Sequence, residues 1–199
     1  MKRVDIDNRV TLKYHELGYP VFGMTSHFCN WEWMLVACSN TVGLPLHAVY
    51  QRLRSPFFNQ LMIIIRSRFG VKLHEKSDVV RDMMKMRNQS YLMSMVADQR
   101  PFSGENKFWT TFLNQDAAFY SGTDLLARRM DIKVTYASML RVNRGYYKVV
   151  FEELVPDPKN AKPNEITEKF IRRAEIDILN DPSSYLWSHD RWKHSRSKE

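Results

Sequence analysis

Cysteine is scarce in this chain of 199 residues, which contains only Cys29 and Cys38. The pair provides neither a disulfide framework nor the spacing of a zinc site, and both residues fall in segments that we expect to be buried. We therefore predict reduced cysteines that serve in packing, as in proteins of the cytosol. The six histidines also lack ligand spacing, so the sequence predicts no bound metal and no cofactor.

Long apolar runs are absent as well. No stretch approaches the ~18 apolar residues that span a bilayer, and residues 1–7 lack the apolar region of a signal peptide. Internal repeats and low-complexity segments are also missing. Because hydrophobic residues make up 44% of the chain and aromatic residues 13%, intrinsic disorder is excluded. At this length we expect one domain over residues 1–199 with a sizeable core.

Acidic residues are outnumbered, since 30 Lys and Arg against 22 Asp and Glu give a net charge of +8. Such a charge favours nucleic acid, an anionic membrane surface or an acidic substrate as a partner. Each basic residue near an anionic membrane contributes about 1 kcal/mol of binding. No nucleic-acid-binding motif is present, so we predict no nucleic-acid partner. Composition alone does not decide between a lipid surface and an acidic substrate.

Segments typical of buried strands alternate with segments typical of helices, which predicts an α/β fold with a sheet covered on both faces. A hairpin turn is indicated at 143–145, so an antiparallel pair joins the sheet late in the chain. Within the helix predicted over 56–69, the apolar cluster 61–65 is expected to pack in the core or to line an acyl-chain tunnel. Strands are predicted at 21–24, 46–53, 91–96, 132–142 and 146–154. Helices are predicted at 31–38, 56–69, after a cap at Ser77 or Asp78, at 123–130 and from 164 to 180.

Polar or charged side chains stand just beyond three of the predicted strands, namely His27, Arg52 or Arg54, and Asp98. Open α/β sheets bind ligands outside the carboxyl ends of their strands. The pattern therefore predicts one shared site that these side chains form together.

His27 and Glu32 are separated by a turn in which Asn30 is suited to cap the following helix. This places Glu32 in the first helical turn, where the helix dipole favours an ionised carboxylate that can reach the imidazole. Imidazole can take a proton from a hydroxyl, and a carboxylate can fix its tautomer. We predict direct acyl transfer to an alcohol, with His27 as general base and Glu32 as its orienting partner. A solvent-facing pair without function is the alternative.

The segment His27-Phe28-Cys29-Asn30-Trp31-Glu32 resembles the His-x4-Asp/Glu box of the lysophospholipid acyltransferase superfamily. It is most similar to the form found in bacterial lipid A biosynthesis acyltransferases, the lauroyl and myristoyl transferases. Further segments resemble motifs of that family in the same order: Tyr-Arg-Pro followed by Asn-Pro-Leu-Leu-Asp (50–59), Arg-x-Arg (66–68), Ala-Asp-Gln (97–99), Gly-x-x-x-Leu-Ala-Arg (122–128) and Tyr-x-Trp-x-His-x-Arg-aromatic-Lys (185–193).

The resemblance implies a mixed central sheet flanked by helices, like that of glycerol-3-phosphate acyltransferases. It further implies transfer of a fatty acyl chain from acyl carrier protein to a hydroxyl of a lipid A precursor, at the cytoplasmic face of the bacterial inner membrane. Guanidinium groups suit phosphate, so Arg66 or Arg68 is expected to bind phosphate of the acceptor or of the carrier's phosphopantetheine. Asp98 is expected to bind acceptor hydroxyls or to hold an arginine. The complete set of expected substrate-binding residues is Asn30, Arg52, Arg66, Arg68 and Asp98.

The chain also departs from the family pattern. Cys29 stands where a glycine is usual, Asn59 where an acidic residue is expected, and Arg100 replaces a common acidic residue. Family members carry a longer segment with an anchoring helix ahead of the histidine box, so the resemblance implies an N-terminally shortened domain that binds the membrane peripherally. Residues 185–193 are expected to form a structural clasp with a basic face toward lipid headgroups. An acceptor that is another glycolipid, an aminolipid or a lysophospholipid remains open, as does an inactive, basic lipid-binding remnant.

Overall fold

A computed structural model describes residues 3–102 and 104–193 of the chain. The strands in this part are β1 (Val4–Asp7), β2 (Val21–Thr25), β3 (Leu46–Tyr50), β4 (Lys72–Glu75), β5 (Leu92–Val96), β6 (Lys107–Phe112), β7 (Gln115–Tyr120), β8 (Lys133–Asn143) and β9 (Tyr146–Val155). The α-helices are α1 (Arg9–Glu16), α2 (Trp31–Thr41), α3 (Pro56–Ser67), α4 (Val79–Lys85), α5 (Gly122–Met130) and α6 (Glu165–Asn180). Two 3-10 turns, Pro158–Asn160 and Pro182–Ser184, flank α6.

Seven strands form one mixed sheet in the order β1-β9-β8-β2-β5-β3-β4. Every neighbouring pair is parallel except the β8–β9 hairpin, which is antiparallel. Residues of α1 and α2 pack in the core on one face of the sheet, and residues of α4, α5 and α6 pack in the core on the other. Covering both faces excludes water from the central strands, which explains their continuous apolar runs. The predicted α/β class with a mixed sheet is confirmed.

The β6–β7 hairpin is a separate two-stranded sheet that the sequence pattern did not predict. Its turn residues, Leu113 and Asn114, both have positive φ, at 50° and 64°. Hairpin turns of this kind are usually recognised by Asn-Gly or Asp-Gly, because glycine adopts positive φ without a steric cost. A leucine at the first position hides the signal.

The glycine-containing motif at 122–128 connects two helices. The carboxylate of Asp124 is buried and accepts the backbone N–H groups of Asn164 (3.2 Å) and Ile166 (3.0 Å), where α6 begins. The Nε of Arg128 donates to the same carboxylate at 2.8 Å. Asp124 therefore satisfies donors that the start of α6 leaves without helical partners, and the motif fixes α5 against α6.

The apolar cluster of α3 is half-buried at Met62 and Ile63 and exposed at its other three residues, so the prediction that it packs in the core is wrong. No residue of α3 is buried, and Leu61, Ile64 and Ile65 all face solvent. The reason is topological, since α3 connects β3 to the edge strand β4 and contacts only α2 and β4 closely. Within the described part of the chain, no helix is both long enough and apolar enough to cross a bilayer.

Candidate active site

Sheet register brings His27 and Asp98 together. Strands β2 and β5 are parallel neighbours, with Thr25 opposite Val96 at their carboxyl ends. Two residues further along each chain, the backbone N–H of His27 donates to Asp98 Oδ1 at 3.0 Å. The imidazole Nδ1 lies 2.7 Å from the same oxygen. The predicted convergence of these two residues at the strand ends is confirmed.

The contact with Asp98 defines what the His27 ring can do. A carboxylate without a proton only accepts hydrogen bonds, so this contact favours the neutral tautomer in which Nδ1 carries the proton and Nε2 presents a lone pair. The edge of the ring packs against Trp31, with centroids 5.1 Å apart and planes at 71°. The imidazole is partly exposed, at 18%, whereas Asp98 is buried. A partly exposed imidazole held through Nδ1 by a buried carboxylate is an arrangement suited to a general base.

The structure corrects the predicted partner of His27. Glu32, in the first turn of α2, receives two hydrogen bonds from the guanidinium of Arg66 on α3, one of them from Nε at 3.0 Å. The carboxylate that holds the imidazole is therefore that of Asp98, and Glu32 instead joins α2 to α3. Sequence proximity favoured Glu32, but the helix turns its side chain toward α3. A catalytic role for Glu32 stays a prediction.

The loop before α2 has a backbone shape that its sequence only partly suits. Asn30 caps the helix as predicted, its Oδ1 accepting the N–H of Trp33 at 3.1 Å. Cys29 has a φ of 54°, in the left-handed region that L-residues adopt at a cost and glycine adopts freely. This conformation explains why a glycine would suit the position that Cys29 occupies. Binding of substrate by Asn30 stays a prediction.

The C-terminal segment binds the His27 loop through backbone hydrogen bonds. The N–H of Cys29 donates to the carbonyl of Ser184 at 2.8 Å, and the N–H of Leu186 donates to the carbonyl of His27 at 3.0 Å. Phe28 and Tyr185 form an isolated antiparallel bridge between these bonds. The predicted structural clasp is thus present, and it immobilises the backbone on which His27 is mounted.

Side chains of the clasp surround Asp98, and the sequence motifs had not assigned them to the site. Arg191 is 2% exposed, and its guanidinium carbon lies 3.9 Å from the ring centroid of Phe119. Burial lowers the pKa of Arg191 to about 10, with the nearby charge of Asp98 opposing that shift. Burial, followed by the charge of Asp98, raises the pKa of Tyr185, so its hydroxyl stays protonated. Because Arg191 is buried, it is not part of the basic face that the segment was expected to turn toward lipid headgroups. That orientation stays a prediction for the other basic residues of the clasp.

Two of the predicted substrate-binding arginines contact residues other than His27. The Nε of Arg52 is 3.8 Å from a carboxylate oxygen of Glu75, and the side chain is mostly exposed. The guanidinium of Arg68 lies 5.6 Å from the ring centroid of Phe69. Their binding of substrate stays a prediction. Across residues 3–102 and 104–193, no group of three or more His, Cys, Asp or Glu side chains is placed to hold a metal ion.

A comparison with protein families places the chain. A family model described as bacterial lipid A biosynthesis acyltransferase matches residues 1–194. A search of curated proteins finds no match. The family match covers nearly the whole chain and includes His27, Asp98 and the clasp. It confirms the resemblance that the ordered sequence motifs indicated.

Proposed function

Because the chain belongs to the bacterial lipid A biosynthesis acyltransferase family and is therefore an acyltransferase, we propose that it moves a fatty acyl chain from an acyl-carrier-protein thioester to a hydroxyl of a lipid A precursor. Family membership implies an acyl donor and a lipid A-type acceptor. The observation that supports the catalytic part of the proposal is the hydrogen bond between His27 Nδ1 and Asp98. This contact favours one tautomer of the imidazole, at the edge of the sheet where such folds bind ligands.

In the proposed reaction, Nε2 of His27 takes the proton of the acceptor hydroxyl as its oxygen attacks the thioester carbonyl. Asp98 holds Nδ1–H and stabilises the imidazolium that forms. When the tetrahedral intermediate collapses, the carbon–sulfur bond breaks and the imidazolium returns the proton to the leaving thiolate. The products are an ester on the acceptor and the free carrier thiol, and His27 is again neutral.

The proposed reaction needs no nucleophile from the protein. The nearest cysteine in sequence, Cys29, is a poor candidate because burial raises the pKa of its thiol, and the thiolate is the reactive form. Transfer therefore proceeds in one displacement from donor to acceptor, with both bound together at the carboxyl edge of the sheet.

Acceptor recognition is proposed to involve Arg66, with Arg68 as the second candidate. Arg66 directs two of its nitrogens to Glu32, which fixes the plane of the guanidinium while its third nitrogen can donate to a phosphate oxygen. In this proposal Glu32 positions a phosphate-binding arginine rather than the base. Asn30 and Arg52 complete the proposed binding surface. Because the acceptor is an amphiphile, we place the reaction at the cytoplasmic face of the inner membrane.

The direct test measures transfer of a labelled acyl group from acyl carrier protein to a lipid A precursor. We expect His27→Ala to reduce the rate at least about 100-fold, the lower end of a general-base contribution. His15→Gln is the matched control. His15 contacts Ser90, which precedes β5 and so lies at the amino-terminal ends of the strands, away from His27. Equal rates for the wild type and His27→Ala would refute the base, and no transfer by the wild type would refute the proposed donor and acceptor.

A further inference from the structure

Helix α3 presents an apolar face that nothing in the described part of the chain covers. Several of its large apolar side chains are exposed, with Phe57 at 71%, Phe58 at 57% and Ile64 at 55%. Leu61 and Ile65 extend the same surface, which we call the α3 face. Contiguous exposed apolar side chains on a helix of a folded domain indicate a surface that contacts a membrane or another protein.

The charged residues in the segment that carries the α3 face are all basic, although Arg66 bonds to Glu32 and Arg52 lies near Glu75. Residues 51–70 include four arginines and no Asp or Glu. Arg52, Arg54 and Arg68 are exposed at the two ends of the helix. The guanidinium of Arg68 lies over the ring of Phe69, which is itself exposed. The surface therefore combines apolar side chains with a basic rim.

This combination selects the occupant. A helix of 12 residues is only about 18 Å long and does not span a bilayer. Helices with an apolar face and basic flanks lie in the interface plane, with apolar side chains among the acyl chains and cations at the phosphates. We propose that the α3 face is the surface by which this protein docks on a bilayer that contains anionic phospholipid.

Docking through α3 has a consequence for the site. Arg66, near the carboxyl end of α3, bonds to Glu32 in the first turn of α2, and that turn follows the His27 loop. The docked helix is thus coupled to the loop that carries the base, and it presents the site to the membrane surface. Only this consequence rests on the proposed function, whereas docking itself does not.

The apolar part of the proposal is tested by flotation with two kinds of vesicle. One consists of phosphatidylcholine alone, and the other of phosphatidylcholine and phosphatidylglycerol in equal amounts. The double variant F57S/I64S should bind the anionic vesicles at least tenfold more weakly, because it removes two large apolar side chains from the α3 face. The matched control is L17S/L179S, whose leucines are exposed to 61% and 68% on other helix ends. It should bind like the wild type.

The electrostatic part is tested with a second pair of variants. R54Q/R68Q should weaken binding to anionic vesicles by about fivefold per charge, with little effect on neutral vesicles. R129Q/R144Q removes two exposed arginines elsewhere and should have a small effect on both. Raising the salt concentration should reduce the difference, because exposed charges are screened.

The vesicles contain neither donor nor acceptor, so docking is measured independently of catalysis. His27→Ala should bind them like the wild type even when transfer is lost, and this separates failure of docking from failure of the proposed function. Wild-type protein that ignores anionic vesicles would overturn the proposal, as would an F57S/I64S variant that binds unchanged. A dimer that F57S/I64S dissociates without changing vesicle binding would instead make the α3 face an interface between two copies, and would also overturn it.

Discussion

The Nδ1 of His27 lies 2.7 Å from Oδ1 of Asp98 although 71 positions separate the two residues in the chain. The contact follows from the parallel pairing of β2 with β5, which sets Thr25 opposite Val96 and carries both chains to the same sheet edge. The same oxygen of Asp98 also accepts the backbone N–H of His27. Asp98 therefore orients the ring and its peptide together.

Replacing Asp98 by Asn should reduce kcat for acyl transfer at least about 100-fold while leaving KM for the acceptor nearly unchanged. An amide N–H can donate to Nδ1 and thereby favour the tautomer that carries its proton on Nε2. The same substitution in a catalytic triad lowers the rate for this reason. Steady-state kinetics of the purified variant measure the split. Glu32→Gln is the matched control and should lose less than Asp98→Asn. The reverse order would restore Glu32 as the orienting partner.

Replacing Arg66 by Ala should raise KM for a phosphorylated acceptor by about tenfold, the effect of losing one charge-assisted hydrogen bond. Arg144→Ala, at the exposed β8–β9 turn, serves as the control for a lost positive charge. Kinetics with an acceptor that lacks the phosphate show whether the effect depends on that group. If Arg66→Ala and Arg68→Ala both leave KM unchanged, neither arginine binds acceptor phosphate.

Position 29 should prefer glycine to alanine, against the usual order. Both substitutions remove the thiol, but only glycine adopts the φ of 54° without a steric cost. We expect the Cys29→Gly variant to be more stable than the Cys29→Ala variant, with a free energy of unfolding about 1 kcal/mol higher. Urea denaturation of the two variants measures this difference. Equal stability, or a more stable Cys29→Ala, would show that the loop does not hold this conformation in solution.

Stability should rise between about pH 4 and pH 6.5 because of His47. This residue is buried and its Nδ1 lies 2.8 Å from Nε2 of His74, which in turn bonds Asp82. Burial, then the charges of His74 and Lys72, lowers the pKa of His47 to about 4. The unfolded chain therefore binds a proton in this range that the folded chain does not, so acidification favours unfolding by about 3 kcal/mol in total.

Urea denaturation of the wild type and of His47→Gln at pH 7 and pH 5 isolates this contribution. The variant should lose less stability than the wild type between the two pH values, because it lacks the titrating imidazole. Groups that do not contact His47, including His189, whose pKa burial also lowers, titrate in both proteins and cancel in the comparison. Parallel losses in the two proteins would remove His47 as the cause.

Local sequence patterns were sufficient to predict five strands of the central sheet with the helices that follow them, the late hairpin and the cap at Asn30. They also predicted that His27 and Asp98 follow the ends of strands, because the end of an apolar run is visible in the sequence itself. They missed β1, α1, β4 and the β6–β7 hairpin. The ordered motifs identified the family, and the family match confirms it. These features depend on residues close together in the chain, or on their order, and need no knowledge of how the elements pack.

Tertiary structure decided which carboxylate reaches the imidazole. Glu32 was the nearer candidate in sequence, but the parallel register of β2 with β5 delivers Asp98 instead. Tertiary structure also decided that apolar residues of α3 are exposed and that Arg191 is buried. The sequence of a helix or of a charged segment does not show which other elements will pack against it. The physical reason is that burial and side-chain pairing are set by neighbours distant in the chain, and only the strand order brings those neighbours together.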